Sequence, residues 1–300
     1  MGRFEGALGS ADLGHFHRLN VALTVHPFEL VVNVVCCGQP MISTLPLLHT
    51  AFLETLIEKL RLDDRFEGLL AGGSMVHSGF DEYSDIDLVP VIRSDAYAQV
   101  LTERREIARG LGNLLSAFTG DHVGEPRLLI CLYGPELLHV DFKFVVLSDL
   151  KHLVERPKIL WARDGTVISN VLDAAIIDWP NRSPEWFEER AWIWLHYGAT
   201  KLQRGELFEA MGMIAFFREH VLGPMLHRRS SRPQRGVRKM ELDGEATEAL
   251  RAVIADHDRK SVSAALMNAA RLYLELRDDE PPKVITSGMP DLLVSLLAIK

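Results

Sequence analysis

Asp85 and Asp87, in the run Ser84-Asp85-Ile86-Asp87-Leu88, stand two residues apart in a stretch that reads as a β-strand. Strand side chains alternate between faces, so both carboxylates are expected on one face, with Ile86 and Leu88 turned into the core. Two like charges so placed are unfavourable unless a cation lies between them. Hard divalent ions such as Mg²⁺ suit such a pair, being held by one or two carboxylates together with substrate phosphates. Just upstream, Leu69-Leu70-Ala71 leads into Gly72-Gly73-Ser74. A glycine turn lets backbone N–H groups approach a phosphate closely, and a helix N-terminus behind it adds a favourable dipole. Ser74 suits both an N-cap and a phosphate contact. Residues 69–92 therefore read as strand, glycine turn, short helix, strand. Further on, alternation from Leu138 to Val146 places His139, Asp141 and Lys143 on one face and Leu138, Val140, Phe142 and Phe144 on the other.

These pieces resemble the signature of the DNA polymerase beta-like nucleotidyltransferase superfamily: Gly-Ser, a polar spacer, Asp-apolar-Asp, then a third Asp between apolar residues on a later strand. Gly73-Ser74, Asp85, Asp87 and Asp141 fill those places. Met75 is a departure, since many relatives carry Arg there. The resemblance covers about residues 45–165 and implies an α+β fold, a nucleotidyltransferase-type mixed sheet with flanking helices. It implies Asp85, Asp87 and Asp141 as catalytic and metal-holding residues. Gly73, Ser74 and Lys143 are implied as nucleotide contacts, with one or two Mg²⁺ ions as cofactor and ATP or another NTP as substrate. Lys143 also reads as a solvated strand lysine, and His139 as a packing neighbour rather than a metal ligand.

The elements expected to carry these residues follow from periodicity and breakers. Ser43-Thr44 is read as the cap of an amphipathic helix running to about Arg61. A second long helix is read over 95–117, broken at Gly120-Asp121. Strands at 127–133 and 138–147 form a hairpin around Gly134-Pro135-Glu136. A short helix at 150–154 precedes a strand at 159–161, closed by Arg163-Asp164-Gly165. From Ser183-Pro184-Glu185, a strong helix start, only helices are read: 185–204, 206–222, 245–257, 261–276 and 291–299. Short links between them suggest an up-down bundle. The expected division is an N-terminal extension over 1–40, a catalytic domain over 41–178 and an all-α helical substrate-binding domain over 179–300. Met41 is taken as the functional start, with the preceding segment a dispensable or upstream extension.

That two-part plan looks like the aminoglycoside and lincosamide nucleotidyltransferases, whose helical part can supply a base for the acceptor hydroxyl. Glu185, Glu188 and Glu189 are candidates for that base, and each also reads as a solvated helix acid. The run from His227 to Lys239 carries many Arg residues and no acid; it reads either as a solvated loop or as a positive flap for a triphosphate.

The chain has 300 residues and a formal charge of −8, which argues against a general nucleic-acid binder. Its three cysteines, with Cys36 and Cys37 adjacent, make no disulfide framework, which fits a cytoplasmic location. No apolar run reaches membrane-spanning length. There is no P-loop, dinucleotide-binding glycine fingerprint, H-E-x-x-H or C-x-x-C motif. Cys131 and Trp186, Trp192 and Trp194 read as packing residues. The expected function is transfer of a nucleoside monophosphate, AMP from ATP foremost, onto a hydroxyl of a small molecule such as an aminoglycoside-like antibiotic, releasing pyrophosphate. The expected partners are nucleotide and small-molecule acceptor. The alternatives are adenylylation of a protein or RNA, or an inactive nucleotide-binding module.

Overall fold

A computed structural model describes residues 34–36, 39–41, 45–77 and 79–298. The chain divides into two compact units, 1–44 and 45–300. In the first, β1 (Val34–Cys36) and β2 (Gln39–Met41) pair antiparallel, Val34 opposite Met41. The remainder of the expected extension lies outside the described residues.

The second unit opens with α1 (Leu47–Leu62), whose N-cap position is Pro46. The expected Ser43-Thr44 cap lies outside the described residues, and the helix starts beyond it. Then come β3 (Phe66–Ala71), a 3₁₀ turn at Gly73–Met75, β4 (Ile86–Ile92) and α2 (Tyr97–Arg109). β5 (Leu114–Gly120), β6 (Glu125–Tyr133), β7 (Leu138–Lys143) and β8 (Val145–Val146) follow. A 3₁₀ turn (Leu147–Lys151) leads into β9 (His152–Leu153), β10 (Lys158–Ala162), α3 (Gly165–Asp173) and β11 (Ile176–Ile177).

The main sheet runs β10-β3-β4-β7-β6-β5, with β8 also on β4. β4 is parallel to β7 and β8, and the other pairs are antiparallel, so the sheet is mixed. One face packs on α1 and α2 through Leu56, Leu60, Phe66, Phe142 and Phe144. The other carries Leu70, Val91, Val145 and Leu150 against Ile168 and Leu172 of α3. Because β4 alternates, Ile86 and Leu88 are buried while Asp87 emerges on the α3 side.

Two sequence expectations fail here. The helix read over 95–117 stops at Arg109, and residues 114–120 form edge strand β5, paired with β6 from Leu114 to Gly120. Leu111 and Leu115 continue a helical spacing, but Gly110 and Gly112 interrupt it and long-range pairing with β6 decides the state. The helix expected at 150–154 is instead the Leu147–Lys151 3₁₀ turn followed by β9.

From Pro184 the chain is helical: α4 (Pro184–Gln203), α5 (Leu207–Phe217), a π turn (Arg218–Leu222), α6 (Gly223–Arg229), α7 (Gly244–Arg251), α8 (Arg259–Asp279) and α9 (Asp291–Ala298). Ser183 caps α4 by accepting from the Trp186 N–H, with Pro184 in the first turn. The helix expected to end at Leu222 runs on: the Arg218–Leu222 π turn leads into α6, with Pro224 in its first turn. A core of Phe187, Trp192, Leu195, Phe217, Leu266 and Tyr273 ties α4, α5 and α8 together.

Candidate active site

Asp87 of β4 stands directly opposite Asp141 of β7 in the parallel pair, and Asp85 immediately precedes β4. Neighbouring strands lie about 4.8 Å apart, so the two in-register carboxylates share one patch of the sheet surface. Burial pushes the Asp87 carboxyl up to about 6, and the charges of Asp85 and Asp141 add to that, with Arg238 opposing. Burial likewise raises Asp141, against the pull of His139, whose Nε2 lies 2.9 Å from Asp141 Oδ1. The approach to Asp85 is pinned from two sides. Buried His49 of α1 meets the Ser84 carbonyl through Nε2 at 2.8 Å, and Ser84 Oγ donates to Asp81 Oδ1 at 3.0 Å.

The glycine turn abuts these carboxylates. Gly72 N–H donates to the Asp87 carbonyl at 2.9 Å, continuing the β3–β4 pairing into the turn. Gly73 has φ +54°, and a methyl group there would collide with the Asp87 carboxylate. Both the backbone conformation and the close approach therefore require glycine. The Gly73 N–H donates to Glu155 Oε1 at 2.9 Å. Ser74 is 8% exposed, and its Oγ finds no hydrogen-bond partner among the described residues.

Asp87, Asp141, Gly72 and Gly73 line a cleft of about 1520 Å³, open solvent at its mouth included, together with Trp179, Arg235 and Arg238. Beside it a second hollow of about 720 Å³ joins Gly73, Ser74 and His77 to His227, Arg232 and Lys239. His227 is 4% exposed and neither ring nitrogen is hydrogen-bonded among the described residues. Burial lowers its pKa, with the Arg232 charge adding to the effect.

The basic run is thus neither one loop nor one flap. Arg228 and Arg229 are tied to the helices, Arg228 to Glu280 at 3.1 Å and Arg229 to Glu275 and Asp279 at 2.7 Å each. Arg232 pairs with Asp243 at 3.2 Å, and the Val237 N–H donates to Glu219 of the π turn at 3.3 Å. Arg235 and Arg238 are the members that face the cleft. Arg235 stacks on Trp179 with 4.4 Å from guanidinium to ring centre.

Lys143 also lines the cleft, but its Nζ is 2.9 Å from Glu125. Arg127, with Lys143 adding, holds Glu125 down to about 2 against the effect of burial. Glu188 is 4% exposed and accepts from Trp192 Nε1 at 2.9 Å, from Tyr273 and from the Thr286 N–H at 2.8 Å. It is a fixed part of the helical core. Glu189 pairs with Arg190 and Glu185 accepts from the Lys283 N–H, and neither lines the cleft. Sequence reasoning missed Glu155, His77 and Trp179. None lies in a periodic or motif context, and they meet only through contacts between distant segments.

Among the described residues no three His, Cys, Asp or Glu side chains close on a common point as a finished metal site. The donor set nevertheless suits a hard divalent ion. Asp85, Asp87 and Asp141 are oxygen donors; burial raises the Asp87 and Asp141 pKa values, repulsion from neighbouring carboxylates adds to it, and a cation relieves that repulsion.

No family model matches the chain, and no curated protein matches it. Among solved structures it is similar to an aminoglycoside 6-adenyltransferase from Bacillus subtilis, at 12% identity and TM-score 0.36 over 83% of this chain and 98% of that one. It is also similar to a nucleotidyltransferase-like protein from Exiguobacterium sibiricum 255-15, at 11% identity and TM-score 0.35 over 76% of this chain and 75% of that one. At such identity and TM-score the likeness carries no weight for activity or substrate. Among the described residues no helix is long and apolar enough to cross a membrane.

Proposed function

We propose that the protein transfers a nucleoside monophosphate, AMP from ATP foremost, to a hydroxyl of a small molecule. The observation that carries this is the Asp87–Asp141 pair, in register on parallel strands and lining a cleft that Arg235 and Arg238 also line. Asp85, Asp87 and Asp141 are the residues that would hold Mg²⁺, which when bound neutralises phosphate charge and polarises the phosphoryl oxygens. The glycine turn, Arg235 and Arg238 bind and orient the polyphosphate. The acceptor oxygen attacks the α-phosphorus, the bond to the bridging oxygen breaks, and pyrophosphate leaves toward Ser74 and His227. Asp141 is placed to take or orient the hydroxyl proton, with His139 bonded behind it. The apolar part of the cleft, Leu153, Val154, Pro157 and Trp179, offers a surface for a nucleobase.

The expected catalytic part (41–178) and helical part (179–300) are carried forward in this proposal, with acceptor binding assigned to the helical side. The acidic balance of the chain suits a cationic acceptor, for which an aminoglycoside-like antibiotic is one class. Incubation with Mg²⁺, each labelled NTP in turn and a panel of hydroxyl-bearing acceptors, following pyrophosphate release, tests the reading. Release that needs both an NTP and an acceptor supports it, and none across the whole panel refutes it.

A further inference from the structure

The Glu155 carboxylate occupies a place that a phosphate group fits. Oε1 accepts from the Gly73 N–H at 2.9 Å, while Oε2 lies 2.7 Å from His77 Nε2 and 2.9 Å from an Arg235 guanidinium nitrogen. A glycine-turn N–H, an imidazole and a guanidinium are the donors that hold a phosphate oxygen. Here they reach one side chain from Gly73, 82 residues before it, and Arg235, 80 residues after it. Arg235 is also stacked on Trp179, so its position has support apart from Glu155. In the adjoining hollow, Ser74 Oγ and both His227 nitrogens are buried without a hydrogen-bond partner among the described residues. This is an anion site with an internal anion at its mouth and unpaired polar atoms behind it.

We propose that the Glu155 carboxylate takes the place of a phosphate between Gly73, His77 and Arg235, and that a polyphosphate ligand binds by displacing it from them. The inference rests on the nucleotidyl-transfer reading and deepens it by naming what the polyphosphate must compete with. The Glu155 side chain is 21% exposed, so it can turn to solvent without burying its charge. A lone phosphate meets the same donors that Glu155 already satisfies and gains little by exchange. Pyrophosphate gains more, because its second phosphate reaches toward Ser74, His227 and Arg238. Glu155 thereby sets a displacement cost that is the same for every phosphate ligand, and the added contacts of a di- or triphosphate are what overcome it.

Isothermal titration calorimetry on the metal-free full chain tests this, with inorganic phosphate and inorganic pyrophosphate as separate titrants. Wild type is compared with Glu155→Gln, which keeps the shape and removes the charge, and with Glu155→Ala; thermal unfolding establishes that each variant is folded. Both variants are expected to bind pyrophosphate at least about tenfold more tightly, the factor that 1.4 kcal/mol makes. The gain for phosphate is expected to be of similar size, because both ligands displace the same carboxylate, so the preference for pyrophosphate is kept. If wild type binds pyrophosphate and the variants bind it equally or more weakly, Glu155 holds Arg235 and His77 in place rather than competing. That overturns the proposal and leaves nucleotidyl transfer standing. Absence of pyrophosphate binding in all three proteins overturns the proposal, while nucleotidyl transfer is tested separately by Mg²⁺- and acceptor-dependent pyrophosphate release.

Discussion

Gly73→Ala separates the backbone role of the glycine turn from its contact with the carboxylates. Gly73 sits at φ +54°, and the added methyl group would overlap the Asp87 carboxylate. Gly124 supplies a matched control: its φ is +74°, yet a methyl group there meets no atom within 4 Å. A non-glycine residue in the left-handed region costs about 1–2 kcal/mol, so both variants should lose stability of that order, near 2–4 °C in Tm per kcal/mol. Only Gly73→Ala must also move Asp87 or the turn itself. Displacing a reacting group by about 1 Å can cost about 10²-fold in rate. The expected result is a kcat/KM loss of at least about 10²-fold for Gly73→Ala and wild-type turnover for Gly124→Ala, by pyrophosphate release at saturating Mg²⁺. Equal activity in the two variants, at equal loss of stability, would refute the claim that the turn fixes the carboxylate.

Asp141→Ala should lower kcat and kcat/KM together by at least about 10²-fold while nucleotide Kd changes little, as for a group acting in the transition state; a weakened Kd with normal saturated turnover would make Asp141 a binding residue only. Arg235→Gln with Arg238→Gln should raise KM for nucleotide, most strongly at low salt where exposed charges are least screened, whereas Arg228→Gln with Arg229→Gln should lower Tm and leave KM unchanged, because their partners are Glu280, Glu275 and Asp279. Glu188→Ala should destabilise by about 3–5 kcal/mol, since it strands Tyr273, Trp192 and Arg277 in the core. Hydrogen bonds from Tyr273, Thr286 and Trp192 outweigh burial and hold the Glu188 pKa below its ordinary value. Its stabilisation is therefore full above the unfolded carboxylate pKa and is lost as pH falls through the lowered folded one. Wild type should show this loss in acid denaturation, and Glu188→Gln should flatten that limb; an unchanged limb would assign the loss to other groups.

Much of the floor of the cleft is legible locally. The alternation through Ile86-Asp87-Leu88 and Val140-Asp141-Phe142 sets which side chains face out, and the glycine turn announces itself by composition. What local pattern does not contain is register: that Asp87 meets Asp141 depends on β4 pairing parallel with β7. The same limit explains β5, where Leu115 and Phe118 are exposed on an edge strand that only β6 holds in place. α3 was hidden because Asp164 reads equally as a turn residue or as the N-cap it is, accepting from the Thr166 and Val167 N–H groups. Glu155 and His77 lie furthest from sequence reading, since each is an ordinary polar residue until the fold brings them to Arg235 of the basic run.

The most direct test of the central claim is Mg²⁺-dependent pyrophosphate release by Asp87→Asn, measured beside wild type with the NTP and acceptor that wild type prefers. Asn keeps the size of the side chain and removes the charge that Asp141 and Asp85 oppose, so the variant should fold as wild type does. The account predicts that its release falls to background at every Mg²⁺ concentration. Wild-type release from a folded Asp87→Asn protein would contradict it.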